Sequence, residues 1–392
     1  MIPTEDDRLP PPPAFTNPEL DEIVATAGGF FWLEGDHHES TVNLFRLLAR
    51  RLDRHVRFSE SHLYTDRTRH ICYGMLCASE LNAFAYASRP GEVPAFDFIG
   101  INIGVVFTLL DAFGRILAHP DCFPEVGNRS LEDPALALSP ELSTDLFGSG
   151  RPPCSPKCQV RKYFAGELAQ VALDFLFFHE VTHLRNGHLE YLRELHPVPT
   201  LIEIVAIDDT DVAVLRQTLE FDADSGGSVQ TLNEAFRMKD RLRTTGSDTS
   251  REAREALLSA YSDPVAATHT VLYAVYLLFR LFDDHTLNIE SPRSHPQPLV
   301  RMGWIAPTIY EGFRRHPNYG YSANDFALVT PQVLIQAETD YGRVRGQPVD
   351  VRGLYAVYSD PSAAENVRRM TSTWSAIRPR LEPHCRGNGL PE

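Results

Sequence analysis

The chain reads as an α+β protein, mostly helical, with a small sheet and a helix carrying two histidines. Three stretches predict this. The first is 171–192, VALDFLFFHEVTHLRNGHLEYL, which is crowded with apolar residues. Between Phe164 and Asn186 it contains no proline and no glycine except Gly166, so a helix of several turns is its natural conformation. The second is AFDFIGINI at 95–103, whose β-branched and aromatic content suits a buried strand. It is expected to pair with a strand from the 71–87 stretch and to run into a helix from Gly104 to Leu117. The third is the most apolar run, 265–282. His269 and Arg280 interrupt it, and the uninterrupted part is shorter than the ~20 residues a bilayer requires, so a buried core helix is expected and no membrane span.

Around these elements the chain has 392 residues, 43% of them hydrophobic, enough to bury a large core. Residues 1–17 read as a disordered, proline-rich tail, 18–305 as the main domain, and 306–392 as a helical C-terminal extension. Within the main domain 36–54 is an amphipathic helix, with Val42, Phe45, Leu48 and Leu52 on one face. A Pro- and Ser-rich insert spans 119–162. In the extension, Asp360 as N-cap and Pro361 at the first position open a helix to Ile377. The net charge of −15 argues against nucleic acid or anionic membrane surfaces as partners. The start lacks the basic and apolar regions of a secretory signal, and six sparse cysteines without a C-x-x-C pair require no oxidising compartment. A cytoplasmic location is expected. Cys154 and Cys158 could form a second metal site, a disulfide, a thiolate blocking the catalytic metal, or two free thiols.

The chemistry is concentrated in His179-Glu180-x-x-His183. Positions i and i+4 share one helical face, which brings the two imidazoles to one point where a metal can bind both. Glu180 lies about 100° round the helix from His179, placed to take a proton from a metal-activated water. Phe177, Phe178, Val181 and Leu184 make the surroundings apolar, where two histidines and a carboxylate are costly unless compensated.

Zinc needs a third protein ligand. The metzincin pattern fails, since Asn186 and Leu189 stand where its glycine and third histidine belong. His188 is out of register, and on an unbroken helix it would point away from His179, as a helix-end residue. Glu220-Phe221-Asp222-Ala223-Asp224 offers an alternative: Glu220 completes the zinc set, and Asp224, one turn on, fixes the tautomer of a ligand histidine. The bland reading of this segment is a solvated acidic face. Gly226-Gly227 costs about 1 kcal/mol per glycine inside a helix and so implies close approach of another backbone.

These motifs resemble those of the gluzincin metallopeptidases, in particular the group holding the heat-shock peptidase HtpX and the CAAX-prenyl endopeptidases. Asn82-Ala83-Phe84-Ala85 is similar to the family's substrate-binding edge strand, and Ser294-His295-Pro296 with Arg301 resembles its T-H-P-x-x-x-x-R. The likeness spans Asn82 to Arg301. It implies a zincin-like core with a small sheet whose edge strand faces the zinc helix, His179, His183 and Glu220 as zinc ligands, Glu180 as base, and Asn82 with Ala83 reading the backbone of a bound substrate. A fainter likeness is to soluble phage-exclusion peptidases. The gap from Asn82 to His179 is longer than usual for the family, and its membrane helices are missing. An exposed edge strand would hold an extended peptide by backbone pairing. Asn82 adds an amide to it or is simply a turn residue; His295 and Arg301 serve the oxyanion of a tetrahedral intermediate or have structural roles.

The expected function is therefore a zinc-dependent endopeptidase acting on a protein or peptide substrate. The alternative is a zinc-stapled regulatory or binding protein, catalytically inactive or latent; a third is hydrolysis of a non-peptide substrate.

Overall fold

The computed structural model describes residues 17–32, 39–89, 91–139, 152–195, 201–202, 210–244, 250–282, 298–315, 322–347 and 361–391. The proline-rich start, His295 and the Asp360 cap lie outside them. The first half comprises α1 (Pro18–Thr26), α2 (Glu39–Phe58), β1 (His70–Leu76), β2 (Ala83–Ala87), β3 (Phe96–Asn102), α3 (Ile103–Ala118), α4 (Pro134–Ala137) and α5 (Gln159–Arg185). There follow α6 (His188–Leu195), β4 (Leu201–Ile202), α7 (Thr210–Thr244), α8 (Arg251–Tyr261), α9 (Pro264–Phe282), α10 (Pro298–Arg315), α11 (Ala323–Arg345) and α12 (Pro361–Leu381). The protein is α+β and mostly helical, as its sequence predicts.

Helix α5 is the axis. It is buried on nearly all sides, which fits its lack of a polar face, and it packs against α3, α7, α8 and α9. α9 is the one helix among the described residues long and apolar enough to cross a membrane. In the fold its Thr268 to Phe279 stretch is largely buried, and the helix packs against α5, α7 and α11.

The sheet has the order β1-β3-β2-β4. β3 pairs in parallel with β1 and antiparallel with β2, and its buried residues sit against α5. The expectation of an exposed edge at β2 is corrected: Phe84 pairs with Ile202 and Ala85 with Leu201. A two-residue strand arriving from after α6 thus takes up backbone groups that the sequence pattern leaves open.

The described parts of the 119–162 insert are built into the base of α5. Arg161, fully buried, donates to five carbonyls, those of Leu117, His119, Cys122, Phe123 and Val126, at 2.6–3.0 Å. That uses all five guanidinium N–H groups. Burial pushes its pKa down, the Glu132 carboxylate 3.8 Å away opposes that, and the carbonyl cage satisfies every N–H. Cys154 and Cys158 are both free, and the Cys158 sulfur accepts from the Asn128 amide. The 305/306 boundary falls inside α10, which packs on α7, as does α12. Beyond α12, Arg386 returns to the core, where its Nε lies 3.3 Å from the Asp97 carboxylate and its amide donates to Arg185 O at 2.7 Å.

Candidate metal centre

Two helices build the centre. α5 presents His179 and His183 one turn apart, and α7 crosses it with Glu220 and Asp224 on the facing side. The crossing is close because of the glycine pair. A Cβ on Gly226 would sit 2.4 Å from Thr182 Oγ1, and one on Gly227 would sit 3.1 Å from the His179 amide nitrogen. The glycines therefore serve the close approach that their cost implies.

His179 Nε2 and His183 Nε2 lie 3.0 Å apart; Glu220 Oε2 is 3.2 Å from the first, and Oε1 is 3.5 Å from the second. Zinc with bonds of about 2.0–2.2 Å in tetrahedral geometry separates its ligand atoms by about 3.4 Å. The three donors thus stand at the spacing such an ion needs, and all three residues are buried. A two-imidazole, one-carboxylate donor set of this spacing fits a metal ion.

The outer contacts differ between the two histidines. Behind His179, Nδ1 lies 3.0 Å from Asp224 Oδ1. Arg301 grips that carboxylate at 2.8 Å and 2.6 Å and stacks 4.0 Å from the Phe279 ring centre. Arg301 therefore has the structural role left open by the sequence: it holds the carboxylate that orients His179. Behind His183, Nδ1 lies 2.9 Å from Nδ1 of His188, whose Nε2 is 3.2 Å from Asp222 Oδ2.

Electrostatics follow from these partners. Burial disfavours a charged His179, but Asp224 and Glu220 outweigh it and raise the imidazole well above its usual range. Burial drives His183 down to about 4, with Glu220 opposing. For Asp224 burial works upward, and Arg301 with His179 brings the carboxyl below its ordinary value. No family model, no curated protein and no solved structure matches the chain.

Glu180 is buried beside His179 on α5, 2% exposed. Asn82 stands at the entrance to β2; its backbone oxygen accepts from the Asn102 amide at 3.1 Å, and its buried Oδ1 accepts no hydrogen bond among the described residues. Ala83 is buried opposite Ile101 in the ladder. Cys154 and Cys158 do not join the His179–His183–Glu220 group, which among the described residues is the one that could hold a metal ion.

His188 and Asp222 were not predicted for the centre, and the placement of His188 is a correction. α5 ends at Arg185, and Gly187 adopts a left-handed conformation at φ +75°, so the chain turns back instead of continuing. The signal was the Asn-Gly pair at 186–187, a helix stop that cancels the unbroken-helix projection.

Proposed function

We propose that this chain is a zinc-dependent endopeptidase with a zincin-like core, of the gluzincin type its motifs resemble. The observation that carries the reading is the convergence of His179 Nε2, His183 Nε2 and the Glu220 carboxylate at 3.0–3.5 Å within a buried crossing of two helices. A zinc ion held by these three would supply Lewis acidity, polarising a carbonyl and letting water ionise near neutral pH.

The remaining work falls to the chain's own side chains. Glu180, one position from His179, serves as general base, taking a proton from the attacking water and delivering it to the leaving amine. Asp224 and Arg301 keep His179 oriented. Apolar packing by Phe175, Phe177 and Phe178 excludes bulk water from the helix crossing, which strengthens each of these interactions. The buried Asn82 Oδ1 is an acceptor suited to a peptide N–H. One observation favours a second reading, a latent or metal-stapled binding protein: Leu201 and Ile202 already pair with β2, so an extended peptide must displace them or bind beyond them.

Metal-loaded protein, tested on an unfolded protein substrate, separates the two. Cleavage by the wild type, reduced about 10²–10⁴-fold in Glu180→Gln with metal content unchanged, is the expected result. Full activity in Glu180→Gln removes Glu180 from its role, and metal binding without any cleavage by the wild type favours the second reading.

A further inference from the structure

We propose that His188, backed by Asp222, is the positioning residue for His183, fixing which of its ring nitrogens carries the proton and hence which is available to a metal. This rests on reading His179, His183 and Glu220 as metal ligands. Nδ1 of His183 and Nδ1 of His188 stand 2.9 Å apart, and a hydrogen bond at that distance holds one proton between them.

Only one arrangement is compatible with a ligand role. His183 Nε2 faces His179 and Glu220 and must be unprotonated to bind. A neutral His183 then carries its proton on Nδ1 and donates it to His188. His188 Nδ1 is thereby the acceptor, so its own proton resides on Nε2, which lies 3.2 Å from Asp222 Oδ2, within ion-pair distance but outside hydrogen-bond alignment. The same oxygen accepts from Asn186 Nδ2, which fixes the carboxylate in place. Reversing the order would put a proton on His183 Nε2, against the ligand site.

Burial protects this arrangement. His188 is fully buried and Asn186 and Asp222 nearly so, leaving water little opportunity to replace a member. Its geometry depends on the Gly187 turn, on which the C-terminal segment packs so closely that a Cβ there would come within 2.4 Å of His384 Cβ. The two ligand histidines are thus supported differently: His179 meets a carboxylate directly, and His183 meets one through a second imidazole.

Zinc affinity by chelator competition and the visible spectrum of the cobalt(II) form test this in the full chain, alongside metal-free melting temperatures. His188→Leu removes both contacts, whereas His188→Gln retains an acceptor for His183 and a donor for Asp222. The expected result is a loss of about 10–100-fold in zinc affinity and an altered cobalt spectrum in the Leu variant, with most of both recovered by Gln. Wild-type affinity in His188→Leu, or a Gln variant no better than Leu at matched metal-free melting temperatures, overturns the proposal. Should the Leu variant not fold, Asp222→Asn decides: weaker zinc binding supports the relay and unchanged binding overturns it. A wild type that binds no metal overturns the ligand reading itself, which a selective His188 effect cannot do.

Discussion

Helix α5 carries two buried polar clusters about one turn apart, and they are resolved in opposite ways. At Asp174, Arg51 donates to both carboxylate oxygens at 2.6–3.0 Å and to Glu167 and Gln170 at 2.9 Å and 2.7 Å. His55 Nε2 adds a contact at 2.7 Å, and the Tyr261 hydroxyl donates to Glu167 at 2.6 Å. This cluster brings its own cation. At His179, His183 and Glu220, the three ligand atoms instead face one another at the spacing of a coordination sphere. Buried polarity on an apolar helix is therefore two different things: a self-neutralised lock that ties α5 to α2 and α8, and a donor set that could hold a metal ion.

Breaking the lock should have the largest effect on folding. Asp174→Asn leaves Arg51 with a reduced countercharge in the interior and should cost about 3 kcal/mol in denaturant unfolding, with metal stoichiometry unchanged. A variant that unfolds normally but loses its metal would erase the distinction between the clusters. The lock should also show in acid. Burial would raise the Asp174 carboxyl, but Arg51 and His55 bring it down to about 2. Its folded value lies below the unfolded one of about 3.9, so its contribution of roughly 2–3 kcal/mol is present above pH ~4 and disappears as pH falls through about 2. In Asp174→Asn the stability profile should be flatter across that window.

The donor set is probed by the next substitution. Asp224→Asn removes the carboxylate behind His179 and should weaken zinc binding about 10–100-fold, with some loss of stability because Arg301 is left buried. Undiminished affinity would mean that His179 does not need its outer partner. The smallest effect is expected at the crossing. Gly226→Ala places a methyl 2.4 Å from Thr182 Oγ1. Overpacking of about 1–3 kcal/mol, offset by about 1 kcal/mol of helix propensity, predicts a net loss of about 0–2 kcal/mol by thermal unfolding. A stabilised variant would show that α5 and α7 have room to spare.

What the sequence disclosed depended on how local the information was. The pairs His179/His183 and Glu220/Asp224 are legible because i, i+4 spacing on a helix fixes their common face. The glycine pair at 226–227 signals the crossing for the same reason, since its cost must be offset by proximity. His188 was misplaced because one left-handed residue, Gly187, redirects everything after it. Arg161 was not seen because its hydrogen-bond partners are backbone carbonyls at the end of α3 and in the loop after it, which have no side-chain signature in the sequence. The covering of β2 escaped for a related reason: two residues, Leu201 and Ile202, are too short a strand to announce themselves by alternation.

The coordination claim is tested most directly by titrating zinc into metal-free protein and comparing the wild type with Glu220→Ala. One tightly held zinc per wild-type chain, and no site of that affinity in the variant, is the predicted outcome. Equal binding by the two proteins, or none by either, would contradict it.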